Sequence, residues 1–295
     1  MKAYKNVIGW RVKMQRIESY EEISKLVFKN LKKDVITNTF LSKEDFENEI
    51  KYGNIYYISF NNGLFLLRDR IDYCILNYYI QEVDLAEINA WLEKEIDKPL
   101  IVEVVGKKAD EIKYNKALKI FENLGFERQI ERERFVKKLV INNDSSVEKD
   151  VDNVKKIDVK IEFCEKLDLD EVNEILASNF DKYYGCIPNK DKIESDISNQ
   201  MIYKATIEGK IVGILHFRKT DKISEIRHLA VDKDFRGLGI ASKMLKKYEA
   251  EIDANKVVWT GTNNSSARKI YENEGYVKDG MVSTVLKWIY KKLKI

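Results

Sequence analysis

Hydrophobic residues alternate or recur at helical spacing in a clear order over the second half of the chain. Alternation predicts half-buried strands, and a spacing of three or four residues predicts amphipathic helices. The predicted strands are residues 159–164, 201–207, 211–218, 224–231, 256–260 and 276–288. The predicted helices are residues 170–180, 192–198, 239–255 and 265–274. One strand, two helices, three strands and then alternating helices and strands indicate an α/β fold, of the α+β type with a mixed sheet.

A short segment near the end of each half is repeated at an offset of 150 residues. Residues 116–126 read KALKIFENLGF and residues 266–276 read SARKIYENEGY, with six identities and two exchanges of Phe with Tyr. The first half also fits the same plan, with strands at 55–60, 64–68, 73–80 and 100–105, helices at 84–96 and 115–123, and a strand from 126. Such repetition indicates two tandem copies of one fold. We predict domains at residues 1–140 and 158–295, joined by a linker at 141–157 whose apolar residues are scattered.

Length and charge narrow the class of protein. A chain of 295 residues with 44% hydrophobic and 34% charged residues suits two soluble globular domains and excludes disorder. Lys and Arg number 52 and Asp and Glu number 49, and 25 and 23 of these precede residue 141, so neither half is a basic arm. We therefore expect no nucleic-acid or membrane partner. With no signal-peptide pattern and no run of 18 apolar residues, we expect a cytoplasmic protein.

The three cysteines do not form a pattern that binds metal or pairs in disulfides. Cys74, Cys164 and Cys186 are an odd number without C-x-x-C spacing, and the chain has only two histidines. We predict reduced, structural thiols and no metal. The role of Cys186 stays open, because it lies beside two tyrosines and close to a proline.

The most informative segment is residues 225–245, in which a strand leads into a tight loop and a helix begins at once. Gly237 and Gly239 lie in the loop. Glycines let the backbone approach a ligand closely, and a helix N-terminus offers free N–H groups to a phosphate. The loop suits a pyrophosphate, although glycines before a helix also form ordinary turns.

Two nucleotide-binding motifs are excluded letter by letter. A P-loop ends in G-K-[ST], whereas Ile-Ala-Ser follows Gly239. A dinucleotide fingerprint needs glycine at position 242, which is Ser242, and an acidic residue near the end of the next strand, where Trp259 and Thr260 stand.

Two motifs do match the GNAT family of N-acetyltransferases. Arg236-Gly-Leu-Gly-Ile-Ala241 fits the R/Q-x-x-G-x-G/A loop of that family. The segment from Asn264 to Tyr276 fits N-x-x-A-x-x-x-Y-x-x-x-G-[FY], in the family's order and separation. Residues 159–288 therefore resemble a GNAT domain, and the whole chain resembles the tandem members, which carry two such domains.

The resemblance implies acetyl-coenzyme A as cosubstrate, without a metal. It places three residues of the fourth strand beside the pantetheine arm and thioester, and loop amides around the pyrophosphate. Asn264 would contact the pantetheine arm. The strand residues are Leu229, Ala230 and Val231, and the loop residues are Arg236, Gly237, Leu238, Gly239, Ile240, Ala241 and Ser242.

The resemblance also implies a general base at Glu225 and a general acid at Tyr271. These residue types suit acyl transfer, since an ammonium group must lose a proton before it attacks, and the departing thiolate needs a hydrogen-bond donor. Backbone N–H groups beside Ala230 would face the developing oxyanion.

Each of these residues also has a structural interpretation. On a regular strand Glu225 and Arg227 share one face, with Leu229 and Val231, and could form a surface ion pair. Tyr271 could fill the core. His228 is interpreted as a hydrogen-bonded structural residue, and Arg236 could act through its backbone alone.

The first half departs from the family pattern. After its third strand comes Gln-Glu-Val-Asp-Leu-Ala-Glu-Ile, without glycine and with three acidic residues, and Phe121 stands at the repeat position of Tyr271. A phenyl ring cannot donate a proton. We predict a degenerate copy that binds no coenzyme.

We predict an N-acetyltransferase that moves an acetyl group from acetyl-CoA to a primary amine by direct transfer in a ternary complex. Tyr183 and Tyr184, in DKYYGCIPN, would line the acceptor mouth or be core residues. The acceptor, a small molecule or a peptide N-terminus, and the length of the acyl group stay open. The alternative is a non-catalytic coenzyme A-binding or interaction module.

Overall fold

The computed structural model describes residues 14–30, 34–39, 42–139 and 158–289. The first half contains seven strands and four helices in these residues. They are β1 (Gln15–Arg16), α1 (Tyr20–Asn30), β2 (Ile36–Thr37), α2 (Lys43–Lys51), β3 (Ile55–Phe60), β4 (Gly63–Asp69), β5 (Cys74–Ile80), α3 (Leu85–Glu95), β6 (Leu100–Lys107), α4 (Glu111–Asn123) and β7 (Glu127–Lys137).

The second half contains the strands and helices that its hydrophobic pattern predicts. They are β8 (Lys160–Phe163), α5 (Leu169–Asn179), α6 (Lys190–Ser198), β9 (Ile202–Ile207), β10 (Lys210–Lys219), β11 (Ile223–Val231), α7 (Ile240–Glu251), β12 (Asn255–Gly261), α8 (Ser265–Asn273) and β13 (Val277–Trp288). The prediction of a mixed-sheet α/β fold is confirmed. Within the described ranges, no helix is long and apolar enough to cross a membrane.

The chain divides into two compact units that do not follow the sequence from end to end. Unit 1 is Met1–Glu131 with Val282–Ile295, and unit 2 is Arg132–Met281. Each unit includes one strand segment from the other half of the chain. Leu286 of β13 packs in the core of unit 1, and Phe135 of β7 packs in the core of unit 2. The linker predicted at 141–157 lies outside the described residues, and the domain bounds at 140 and 158 stay a prediction.

Unit 1 has the strand order β1-β3-β4-β5-β6-β13, with β2 on β5. Neighbours β3, β4 and β5 are antiparallel, whereas β5 and β6 are parallel. Aromatic rings fill its main core, in which Tyr78 and Phe121 have ring centroids 4.8 Å apart and Phe65 packs edge-on against Trp91.

Unit 2 has the strand order β7-β12-β11-β10-β9-β8. Adjacent residues of β10 point to opposite faces, so Ile214 packs against α5 and α6 while Leu215 packs against α7. The hairpin between β9 and β10 turns at Glu208 and Gly209, whose φ values are +50° and +81°, as the predicted two-residue turn requires. This sheet, with helices on both faces, holds β11 and its following loop in place.

The repeated segments have the same local structure. In the first, the N–H groups of Gly125 and Phe126 donate to the carbonyls of Glu122 and Phe121, and in the second those of Gly275 and Tyr276 donate to Glu272 and Tyr271. Both glycines have φ values above +80°, which closes the helix and starts a strand. The offset of 150 residues is therefore a repeat of structure as well as of sequence.

Candidate active site

Strands β11 and β12 pair at one end and diverge at the other, and we call the place where they diverge the parting. Their parallel register runs from Ile223 opposite Asn255 to Ile226 opposite Val258. Strand β12 pairs with β7 along its other edge, from Lys256 to Gly261, and beyond Ile226 strand β11 continues to Val231 beside β10 alone. The Asp232 N–H donates to Val212 of β10 over 2.9 Å, so by alternation the N–H and C=O groups of Leu229 and Val231 face the parting. An extended ligand can pair with these backbone groups.

A bulge in β11 changes which side chains share a face. His216 is opposite His228 and Phe217 is opposite Ile226, so Arg227 is the extra residue. The expected regular alternation is therefore wrong at this point: Ile226, Leu229 and Val231 face the α7 side and Ala230 faces the α5 and α6 side. Glu225, opposite Arg218, lies on the face of His228 and Ala230.

The Glu225 carboxylate lies between two guanidinium groups. It accepts hydrogen bonds from Arg218 Nε over 2.9 Å and from Arg227 Nη1 over 3.2 Å, and its side chain is 16% exposed. The ion pair with Arg227 that the sequence allows is therefore present despite the bulge. Each carboxylate oxygen of Glu225 therefore accepts a hydrogen bond from one arginine.

The glycine loop ends in a helix N-terminus without a side-chain cap. Gly237 and Gly239 have φ values of +79° and +74°, and Gly239 is the N-cap of α7. The first helical hydrogen bond is Lys243 N–H to the Gly239 carbonyl, which leaves the N–H groups of Ile240, Ala241 and Ser242 outside the ladder. Because the first turn has no acidic residue, this end of α7 suits an anion.

The Arg236 side chain is used within the protein. Its Nε donates to the Val231 carbonyl over 3.0 Å and its Nη2 to Asn179 Oδ1 over 3.2 Å. The guanidinium thus ties the loop to the end of β11 and to α5, which agrees with a role for Arg236 in ligand binding through its backbone.

Tyr271 and Asn264 lie on α8. The Tyr271 ring is buried, 5.6 Å from Tyr276 and 6.3 Å from Phe135 between ring centroids, and its hydroxyl makes no hydrogen bond to a described residue. Burial raises the pKa of Tyr271, so the phenol keeps its proton. Asn264 caps α8 by accepting from the Ala267 N–H over 3.1 Å, and it is exposed.

The two candidate acceptor residues lie in a loop built on Asp181. Oδ1 of Asp181 accepts from the N–H groups of Tyr183 and Tyr184, over 2.7 Å and 3.3 Å. Arg132 donates to the Tyr184 carbonyl, and His228 Nε2 lies 2.8 Å from the Gly185 carbonyl. Both tyrosines are half-buried, so neither is a core residue.

Comparison with known proteins identifies this part of the chain. The family model of the acetyltransferase (GNAT) domain matches residues 170–289. These residues are a GNAT domain. The chain is also 34% identical over 84 residues to an N-acetylaspartate synthetase of Xenopus tropicalis. That match covers 26% of this chain and 31% of the synthetase, less than a third of its length.

Solved structures of GNAT proteins share the fold over most of the chain. An N-acetyltransferase from Sphaerobacter thermophilus has a TM-score of 0.56 at 12% identity, covering 83% of this chain and 86% of its own. A GNAT acetyltransferase from Colwellia psychrerythraea has a TM-score of 0.52 at 16% identity, covering 95% and 100%. Identities this low show a common fold only. The fold of the whole chain, with both repeats, is therefore the one found in GNAT proteins.

Unit 1 repeats the parting of strands seen in the GNAT domain, but its own residues fill it. Strands β5 and β6 pair only from Cys74 to Leu76, and β2 then lies against the far end of β5. The Asn38 amide donates to the carbonyls of Leu76 and Glu103 over 3.1 Å and 2.8 Å and accepts from the Tyr78 N–H over 2.9 Å. Asn38 thus occupies backbone groups equivalent to those that face the parting of β11 and β12.

The helix after β5 is also closed to an anion. Its N-cap is Asp84, whose carboxylate accepts from the Ala86 N–H over 2.9 Å. The equivalent position before α7 is Gly239, which has no side chain. One of the acidic residues noted in the sequence, Asp84, therefore accepts a hydrogen bond from a helix N–H group that an anion would otherwise need.

Sequence analysis missed three parts of this arrangement. It identified neither the strand β2 and Asn38, nor the bulge at Arg227, nor the contacts of His216 with Asp196 and His228. The strand β2 is only two residues long, and the other features depend on partners 12 to 65 residues away in the chain. The one visible signal was that both histidines of the chain fall on adjacent strands.

We expect Asn38→Ala to destabilise unit 1 by about 2 to 4 kcal/mol, because the change leaves three buried backbone groups without partners. Urea denaturation of the full chain measures this loss. Asn115→Ala, which removes an exposed amide on α4, is the control and should cost less than about 0.5 kcal/mol. Equal losses in the two variants would contradict the role given to Asn38.

Proposed function

We propose that the chain is an N-acetyltransferase that transfers an acetyl group from acetyl-CoA to a primary amine, directly and in a ternary complex. The observation that carries the proposal is the unpaired edge of β11 beside a helix N-terminus that has no cap and no acid. In unit 2 both sites are open to a ligand, and in unit 1 Asn38 and Asp84 occupy both.

The residues present fit the coenzyme. Leu229 and the Val231 N–H offer backbone groups to the amides of the pantetheine arm, while the Val231 carbonyl accepts from Arg236 Nε. Ala230 lies between them on the opposite face. The amides from Arg236 to Ser242 would hold the pyrophosphate, as helix N-termini do with phosphates. Asn264 caps α8 and leaves its Nδ2 available to the pantetheine arm. The bound coenzyme supplies an activated thioester carbonyl.

The chain's own groups supply the proton transfers. Glu225 would take a proton from the ammonium form of the acceptor, directly or through a water. A backbone N–H of Leu229 or Val231 would donate to the thioester oxygen as negative charge develops on it. The Tyr271 hydroxyl, which makes no hydrogen bond to described residues, would donate to the departing sulfur.

The acceptor would enter beside the loop of Tyr183 and Tyr184, which lies against His228 on β11. We propose a small amine or a peptide N-terminus as acceptor. Because one relative is an N-acetylaspartate synthetase, aspartate belongs in the first acceptor panel, with other amino acids and polyamines.

A non-catalytic coenzyme A-binding or interaction module is the second candidate. The two guanidinium groups on Glu225 favour it, since both carboxylate oxygens already accept a hydrogen bond within the protein. The variants below separate the two candidates.

We expect one coenzyme A site per chain, in unit 2. Titration calorimetry should give a stoichiometry near one, and Gly239→Val should abolish binding because a β-branched residue disfavours a φ of +74°. Gly209→Val is a matched control, since Gly209 has a φ of +81°, an equally open surrounding and a place in the hairpin turn. Two sites per chain, or loss of binding in both variants, would contradict the proposal.

We expect Glu225→Gln to lower turnover at neutral pH and below, with partial recovery at high pH, where the free amine no longer needs a base. Coenzyme affinity should stay within about twofold of the parent. Arg218→Gln removes one ion-pair partner and keeps the carboxylate, so it serves as the control. If the two variants have the same pH–rate profile, Glu225 is a structural carboxylate.

We expect Tyr271→Phe, the residue that unit 1 has at Phe121, to lower kcat by about 10²-fold or more through loss of the donor to sulfur. Because the hydroxyl makes no hydrogen bond to described residues, the free energy of unfolding should change by less than about 1 kcal/mol. Tyr276→Phe, in the same aromatic cluster, is the control. Parental kcat in Tyr271→Phe with a good acceptor would show that the phenol is not the acid.

A further inference from the structure

A continuous network of hydrogen bonds runs from α6 over strands β10 and β11 of unit 2, next to the candidate site. Asp196 of α6 has Oδ1 2.9 Å from Lys192 Nζ and Oδ2 3.1 Å from His216 Nε2. His216 Nδ1 lies 3.0 Å from His228 Nδ1, and His228 Nε2 lies 2.8 Å from the Gly185 carbonyl. Asp196 and both histidines are at most 3% exposed, so water contributes little to these contacts.

The distances fix where the protons must be. The Gly185 carbonyl only accepts, so His228 Nε2 carries a hydrogen. One hydrogen must lie between the two Nδ1 atoms and another between His216 Nε2 and Asp196, or lone pairs would face each other. Three hydrogens shared among Asp196, His216 and His228 therefore satisfy every contact, which is one more than an Asp196 carboxylate and two neutral imidazoles hold.

The charged groups around these three side chains support this arrangement of hydrogens. Burial, together with the interactions with His216 and Arg227, lowers the pKa of His228 to about 3, although the hydrogen bond to the Gly185 carbonyl raises it. Burial raises the pKa of Asp196, but hydrogen bonds from His216 and Lys192 outweigh it and leave the pKa below its ordinary value. The Phe180 ring also packs against His228, at 4.7 Å between ring centroids.

The network of hydrogen bonds ends at the Gly185 carbonyl, in the loop that carries Tyr183 and Tyr184. Gly185 has no room for a side chain, since a Cβ would lie 2.4 Å from the Asp181 carbonyl oxygen and 2.8 Å from Phe180 Cβ. Its carbonyl is therefore held at one place, against the residue that directly precedes Leu229. With one hydrogen fewer, one of the three contacts has no donor, and a move of the His228 hydrogen from Nε2 to Nδ1 would remove the donor to Gly185.

We propose that Asp196, His216 and His228 are positioning residues for the loop at residues 181–189. They form a latch, which holds this loop against β11 only while the three side chains share three hydrogens, so that every contact has a donor. This inference rests on the proposed function in one respect, namely that the loop borders the acceptor. The latch itself is a property of the fold.

The first test is nitrogen NMR of the full chain labelled with 15N-histidine, which needs no mutants because the chain has only two histidines. Protein purified without a histidine tag should show one doubly protonated imidazole and one neutral imidazole with hydrogen on Nε2 between pH 5 and 7. Two neutral imidazoles that titrate independently near their ordinary pKa of about 6.5 would overturn the proposal.

The second test is hydrogen exchange of residues 181–189 in a matched pair of variants. His228→Asn cannot reach Gly185, whereas the longer amide in His228→Gln places a donor at the position of Nε2. We expect exchange to rise about tenfold in His228→Asn, as for the loss of one hydrogen bond, and to stay within about twofold of the parent in His228→Gln. Unchanged exchange in His228→Asn would overturn the proposal.

Asp168→Asn is the control for general damage, because Asp168 forms the other buried ion pair described in unit 2, 2.7 Å from Lys204 Nζ. It should lower stability without changing exchange of the loop or the histidine signals. Equal exchange of the loop in Asp168→Asn and His228→Asn would show a purely structural role.

Turnover separates the latch from the proposed function. In His228→Asn we expect the KM for the acceptor to rise about tenfold while kcat and coenzyme affinity stay within about threefold of the parent. If no amine is acetylated but the NMR and exchange results hold, the proposed function fails and the latch stands. If kcat falls and KM is unchanged, the histidine does not act through the loop.

Discussion

The parting of two parallel strands is the feature on which the candidate site depends. Backbone N–H and C=O groups that lack a strand partner must find another one, because leaving them buried and unpaired costs about as much as a lost hydrogen bond. Past Ile226 the edge of β11 is in this condition at Leu229 and at the Val231 N–H, since the pairing with β12 ends at Ile226. A ligand with its own amides is a natural partner for such an edge.

The two repeats satisfy the same condition in different ways. In unit 1 the partner is internal, because Ile36 and Thr37 pair with the end of β5 and Asn38 bridges β5 and β6. The helix N-terminus next to the parting is likewise closed by Asp84 there and open at Gly239 in unit 2. Two short changes of sequence thus distinguish a closed cleft from an open one, on the same arrangement of strands.

Local features of the site were predictable from the sequence and distant ones were not. The strands and the glycine loop follow from periods and letters within about ten residues of one another, and the exchange of Tyr271 for Phe121 follows from the repeat at an offset of 150 residues. The Asn38 bridge and the histidine pair join segments that only the folded sheet brings together, and the bulge at Arg227 is a mismatch of register between β10 and β11. A regular alternation therefore assigned Glu225 to the wrong face.

The central claim is that the edge of β11 and the N-terminus of α7 hold the coenzyme, while the equivalent groups of unit 1 are already occupied. Hydrogen exchange of the full chain with and without coenzyme A tests it at both places at once. We expect protection at residues 227–242 and no change at residues 76–86. Protection of residues 76–86, or no protection at 227–242 under saturating coenzyme, would contradict the account.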